Sequence, residues 1–203
     1  ESPRIANGKS DAMMKLIYLF LLTMPGTPFI YYGDEIGMKS LDLPSKEGGY
    51  MRTGVRTPMQ WSDEPNTGFS QAAKEDLYLP VDESEGRPTV ANQDADPNSL
   101  LNQVRTLIKL RKSLKALHGD AQFKVIYAES GSLPFVYARI QDEQNLMVAL
   151  NPSNKEVCVE LPIDMLPASP EALDVPQNAK CIRTDAGWKL ILGPVSGAIY
   201  KVH

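Results

Sequence analysis

The residues of this sequence able to do chemistry gather in its first third. Asp34 and Glu35 are adjacent. Neighbours at the end of an extended segment send their side chains apart, so the two do not make a nucleophile and acid pair. One of them faces a ligand or an arginine, or both cap local backbone. Arg56 stands in the string GVRTPMQW, residues 54–61. A guanidinium presents a planar fork of donors, which suits hydroxyls or a carboxylate, or an internal salt bridge that holds a loop. Arg4 carries the same two readings. Trp61 and Phe69 are candidate stacking platforms, although aromatics in a long loop also serve as its anchors.

Other chemistries are poorly served. His118 and His203 are far apart, so a zinc site on a His-x-x-x-His helix is nearly excluded and a Ser-His-Asp triad would rest on His118 alone. His118 reads as a helix-dipole partner or an exposed residue. Cys158 and Cys181 form no C-x-x-C pair; they read as two small buried thiols in a reducing compartment, or as one disulfide. No motif calls for a cofactor or a metal. With 21 Lys and Arg against 25 Asp and Glu, the net charge of −4 leaves no basic surface to track phosphates, so nucleic acid is not an expected partner. A composition of 42% hydrophobic and 23% charged residues is that of a globular chain, and 203 residues allow one large or two modest domains. The longest uncharged run, residues 16–33, is interrupted by Pro25, Gly26 and Pro28, which makes it a poor membrane span. There is no signal peptide, and a chain that opens on Glu1 reads as processed or as a piece of something longer.

The elements that must position these residues follow from pattern. Ser10 caps a helix running to about Met24, apolar nearly all round and therefore buried on most sides. Pro25-Gly26 stops it. Phe29 to Tyr32 is a short apolar run, as expected of a strand covered on both faces. Residues 33–96 show no sustained periodicity; they form a long loop seeded with Tyr50, Trp61, Phe69 and Tyr78. Asp96 and Pro97 begin a second helix with a stripe of Leu100, Leu101, Val104, Leu107 and Ile108, and Gly119 ends it. From Gln122 the period becomes two, with turns at 130–131, 142–143, 151–152, 185–187 and 196–197, which predicts an antiparallel β-sandwich of about seven strands. A lone parallel strand needs neighbours, so the first part reads as the tail of a larger α/β fold. In a (β/α)8 barrel the loops that follow the strands build the active site.

The string MPGTPFIYYGDEIGM, residues 24–38, resembles the eighth barrel strand of the α-amylase family of glycoside hydrolases. GVRTPMQW at 54–61, NTGFS at 66–70, LYLP at 77–80 and DPNSLL at 96–101 are similar to the branch holding α-glucosidases, oligo-1,6-glucosidases and trehalose synthases. The likeness runs to about residue 115; beyond it only position and class agree.

The resemblance implies the C-terminal piece of a TIM barrel at 1–118 followed by a β-sandwich domain at 119–203. It also implies a retaining glycosidase acting on α-glucosidic bonds of short oligosaccharides, through two carboxylates ~5–5.5 Å apart. Those carboxylates follow strands four and five of the family's barrel, so this chain has no catalytic residue of that kind and is expected to be inactive alone. ESPR at 1–4 is similar to the sequence just after the family's strand-seven motif, and a one-residue insertion decides whether Glu1 stands at its acid. Arg56 then lies on the acceptor side of the cleft, with Arg4, Asp34 and Glu35 as further substrate contacts. The alternatives are a trehalose synthase-like transglucosidase and a non-catalytic carbohydrate-binding or interaction relative. The expected partner is an α-glucoside in the parent enzyme, with no membrane, in the cytoplasm. The chain by itself is expected to self-associate through its exposed barrel elements, because the first helix and lone strand find too little cover within one copy.

Overall fold

Ser10 does begin the first helix, α1 (Asp11–Thr23): its hydroxyl accepts the Met13 N–H at 3.2 Å. The computed structural model describes residues 3–46, 52–163, 169–173, 175 and 178–202. Within it the chain forms two compact units, residues 1–14 with 29–102, and residues 15–28 with 103–203.

In the second unit, alternating residues build two antiparallel sheets. The strands are β1 (Gln122–Tyr127), β2 (Phe135–Gln141), β3 (Gln144–Asn151), β4 (Val157–Pro162), β5 (Glu171–Ala172), β6 (Ala179–Thr184), β7 (Gly187–Leu192) and β8 (Ser196–Val202). Their orders are β1-β2-β3-β8-β5 and β4-β7-β6. Val136, Met147, Ala149, Ala198 and Tyr200 of the first sheet share one buried cluster with Val159, Leu161, Trp188, Leu190 and Leu192 of the second. This is the expected sandwich core, fed by the period of two. The turn expected at 196–197 lies earlier, at Pro194–Val195, with Val195 at φ 43°, and Ser196 already pairs with Asn151.

The expectation that the first helix lacks cover is overturned. Leu16, Tyr18, Leu19 and Leu22 are all buried, at 6% exposure or less. Gly197 of β8 explains how: a Cβ there would lie 2.4 Å from Leu19 Cδ2 and 2.9 Å from Leu16 Cδ1, so a bare backbone lets the helix press onto the sheet. Burying each such side chain contributes at most roughly 1.5–3 kcal/mol. The Tyr137 hydroxyl shares a hydrogen bond with Thr23 Oγ1, and burial pushes the Tyr137 phenol well above its ordinary range.

The other long helix, α3, spans Leu100–Ser113. Its apolar stripe is as expected, with Leu100, Leu101, Val104 and Leu107 buried. Its cap is not. Ser99 accepts the Asn102 N–H at 3.2 Å, while Asp96 turns back onto the Asn98 N–H at 2.8 Å. The helix stops at Ser113, before a short 3-10 turn at Lys115–Leu117, and not at Gly119.

Both cysteines are free, and Cys158 is exposed where a buried thiol was expected. Burial lifts the Cys181 thiol to about 11. The exposed Cys158 will therefore react with an alkylating reagent faster than the half-buried Cys181, whose thiolate burial disfavours. Equal rates in the native protein, measured by mass spectrometry, would contradict this placement.

In the first unit, the run from Phe29 to Tyr32 forms no strand. No ladder partner flanks it among the described residues, and Phe29 is 87% exposed. A parallel strand is made by its neighbours, and an apolar run without them stays extended and solvated. The long stretch that follows is built of 3-10 turns at Asp34–Ile36, Thr53–Val55, Pro65–Gly68 and Lys74–Asp76, and of a short helix α2 (Val90–Ala95) inside the expected loop. Ile36, Met38, Met59 and Leu101 form its core, with Val90 against them.

Candidate functional site

Two glycines set the backbone of the site. Gly33, at φ +84°, starts the turn that carries Asp34 and Glu35; a Cβ there would meet Met38 Sδ at 2.3 Å. Gly54 packs on the Leu41 carbonyl so closely that a Cβ would fall 1.8 Å from its oxygen. The Leu41 N–H also donates to the Gly54 carbonyl at 3.0 Å. Past Gly54, residues 57–60 run buried and Arg56 emerges from them, exposed. The Tyr32 hydroxyl donates to the Thr57 carbonyl at 2.9 Å and fixes the residue beside Arg56. The carbonyls of Gln60 and Trp61 accept the first N–H groups of α2, Val90 and Ala91, both at 2.9 Å. Those are donors that a helix start leaves unmet.

Trp61 and Phe69 are brought together by a left-handed turn. Asn66, Thr67 and Gly68 all have positive φ, at 54°, 56° and 69°. For a β-branched threonine this conformation costs on the order of 1–3 kcal/mol and must be held by its surroundings. The Thr67 carbonyl accepts from Trp61 and Ser62 at 2.9 and 3.1 Å, and its hydroxyl donates to the Met59 carbonyl at 3.2 Å. Asn66 Nδ2 donates onward to the carbonyls of Ser70 and Ala72, at 3.0 and 2.8 Å. On the opposite side, Lys46 Nζ donates to the Tyr78 carbonyl at 2.5 Å and lies 4.1 Å from the centre of its ring.

The result is a cleft of about 470 Å3, walled by Tyr32, Trp61, Phe69 and Tyr78, with Glu35 and Arg56 as its charged lining. The four aromatic side chains are 40–59% exposed, so their rings remain available to a ligand. Glu35 Oε2 is buried and has no hydrogen-bond partner among the described residues. A buried carboxylate oxygen left unpaired is costly, which makes it a receptor for a donor from outside.

The other two expected site residues are given to each other. Arg4 is almost wholly buried; its Nη1 donates to Asp34 Oδ1 at 3.0 Å and to the Tyr32 carbonyl at 2.6 Å. Its guanidinium lies over the rings of Tyr31 and Tyr32, 5.0 and 4.9 Å from their centres. Burial raises the Asp34 carboxyl above its ordinary value, with the Arg4 hydrogen bond and charge pulling the other way. The pair underpins Tyr32, whose phenol is itself raised, chiefly by burial. Glu35 is thus the one carboxylate of the two that lines the cleft, where retaining hydrolysis needs a pair.

Sequence reasoning gave Tyr78 no role, and it took Tyr32 for strand core. The aromatic of LYLP at 77–80 was the available signal for the first. His118 is exposed. Glu1, Tyr50 and His203 lie outside the described residues. Among the described residues no three groups converge to hold a metal ion, and no helix is long and apolar enough to cross a membrane.

Residues 3–120, more than half of the chain, match the family described as the α-amylase catalytic domain. The chain belongs to that family. It is 35% identical over 155 residues to a trehalose synthase of Thermus thermophilus, across 74% of this chain and 15% of that one. It is 32% identical over 176 residues to a salivary α-glucosidase of Aedes aegypti, across 79% of this chain and 29% of that one. The chain therefore spans less than a third of the length of these relatives. Its fold matches the crystal structure of the trehalulose synthase MutB from Pseudomonas mesoacidophila, with a TM-score of 0.78 at 24% identity, over 99% of this chain and 41% of that one.

Proposed function

We propose that this chain forms the acceptor side of the active site of a retaining α-glucoside-acting enzyme. The observation that carries the reading is a cleft walled largely by aromatic rings that holds both Arg56 and a Glu35 oxygen with no hydrogen-bond partner among the described residues. A pyranose has two apolar C–H faces and a rim of hydroxyls. The rings take its faces, Arg56 donates to its oxygens, and Glu35 accepts from its hydroxyls. The nucleophile and the acid come from sequence beyond these 203 residues, carried by the barrel of which residues 1–118 are the last part; residues 119–203 are its β-sandwich domain.

Hydrolysis and transglucosylation share a glycosyl-enzyme intermediate and differ in what resolves it, water or a sugar hydroxyl. Likeness to a trehalose synthase favours the second as an alternative, because an acceptor cleft that holds a sugar in place of water directs that outcome. Product analysis of the full-length parent on maltose, isomaltose and trehalose tests the reading. Glucose or an isomeric disaccharide is the expected product. A parent without the two strand-end carboxylates, inert on all three sugars, would leave a carbohydrate-binding relative instead. The 203-residue chain alone is expected to be inactive; turnover abolished by a family inhibitor would overturn that.

The free thiols support a cytoplasmic setting. The exposed Phe29 to Tyr32 run supports self-association of the isolated chain. Light scattering showing a monodisperse monomer at micromolar concentration would sink that last point.

A further inference from the structure

Helix α2 is tied to two parts of the cleft wall. Its first N–H groups, at Val90 and Ala91, donate to the carbonyls of Gln60 and Trp61, and the Gln93 side chain reaches the turn that carries Glu35. Gln93 Nε2 donates to the Ile36 carbonyl at 2.7 Å, and its Oε1 accepts the Leu101 N–H at 2.9 Å. We infer that Gln93 is a positioning residue, a latch that keeps the Glu35 carboxylate in the lining of the cleft. The inference rests on the proposed function and adds to it a residue outside the cleft that acts on the sugar through Glu35.

The peptide between Ile36 and Gly37 is where the latch acts. Its N–H donates to the Asp34 carbonyl at 3.0 Å and closes the 3-10 turn Asp34–Ile36; its carbonyl is the one Gln93 holds. Gly37, at φ +76°, has no Cβ to resist rotation of that peptide. The hydrogen bonds of a short 3-10 turn are poorly aligned and hold it weakly. Turning the peptide over would take its N–H from Asp34, open the turn and release Glu35. Gln93 opposes this by holding the other end of the same peptide. Gln93 is itself set in place. Its N–H donates to the Thr89 carbonyl at 3.1 Å, and its carbonyl accepts from Ser99 Oγ at 2.7 Å and Asn102 Nδ2 at 2.9 Å. The Leu101 N–H that meets its Oε1 is one that the start of α3 would otherwise leave unpaired. Ile36 and Leu101 belong to one buried cluster, so the amide bridges two elements already packed together.

Calorimetric titration of the 203-residue chain with maltose and isomaltose tests this in a double-mutant cycle. Gln93→Glu keeps the acceptor for Leu101 and loses the donor to Ile36; Gln93→Asn, one methylene shorter, keeps the amide and loses the reach. Each should weaken disaccharide binding roughly 3- to 10-fold, the scale of one hydrogen bond. Neither should weaken it further in a Glu35→Ala background, whereas a merely structural residue would cost the same factor there. Hydrogen exchange at the Gly37 amide should quicken in both variants, and exchange at Leu101 should stay as in the wild type in Gln93→Glu. Unchanged affinity in both variants, an equal loss with and without Glu35, or an unaltered Gly37 amide would overturn the latch and leave the proposed function standing. Absence of disaccharide binding by the unaltered chain would overturn the proposed function together with it.

Discussion

Arg56→Ala in the full-length parent enzyme will lower kcat/KM for disaccharides roughly 10- to 1000-fold, the ~1.5–4 kcal/mol at stake when a charge-assisted contact is lost from a closed site. The side chain emerges from a buried segment, residues 57–60, held by Tyr32 beneath and by the start of α2 behind. Truncating it should therefore leave the fold intact. Arg56→Lys should recover only part of the loss, because an ammonium cannot reproduce the planar fork. If kcat/KM and thermal stability both stay at wild-type values in the alanine variant, Arg56 is a bystander and the cleft has been misread.

The largest stability effect is expected at Arg139, on β2. Its side chain is fully buried, and the partners it meets are carbonyls. Nη1 donates to the Thr23 carbonyl, and Nη2 to those of His118 and Ala121 at 2.5 and 3.3 Å. Arg111 adds donors to the carbonyls of Leu22, Met24 and Gly26, at 2.8, 2.9 and 2.5 Å. Two guanidinium groups thus close the C-terminus of α1, where the helix dipole favours positive charge. Burial lowers the proton affinity of Arg139, and the neighbouring Arg111 charge lowers it further. Arg139→Ala removes donors from three carbonyls and opens a cavity. The expected loss is about 3–5 kcal/mol, read from the midpoint of chemical denaturation. Arg139→Met refills the space without the donors and should recover the packing part only. A loss under ~1 kcal/mol in the alanine variant would show that water or Arg111 meets those carbonyls instead.

Elements whose burial is periodic were legible in the sequence. The α3 stripe and the alternating strands each carry their own cover pattern, so a reader of the chain finds them. The bed of α1 was not legible, because it depends on Gly197, whose missing side chain matters only once β8 lies against the helix. The Asp96 cap failed because two good capping residues stand three apart, and Ser99 is the one nearer the stripe. Helix α2 has six residues and one large apolar side chain, too few to show a period. In the site, Arg56 and Glu35 stood out by type and neighbourhood. The Arg4–Asp34 pairing did not, since nothing local links residues 30 positions apart. The positive φ of Thr67 ran against its residue type: a β-branched side chain argues for extended backbone, and only the surrounding hydrogen bonds reverse that.

The proposed function stands or falls on a sugar entering the cleft beside Arg56. The two tryptophans make it directly measurable: Trp61 lines the cleft, while Trp188 is 8% exposed in the sandwich core. Fluorine NMR of the chain labelled with 5-fluorotryptophan gives one resonance for each. On titration with maltose or isomaltose, the Trp61 resonance should move saturably while that of Trp188 stays fixed, and Arg56→Ala should weaken the response at least ~10-fold. A Trp61 resonance that never moves, that moves without saturating alongside Trp188, or that responds equally in Arg56→Ala would contradict the account.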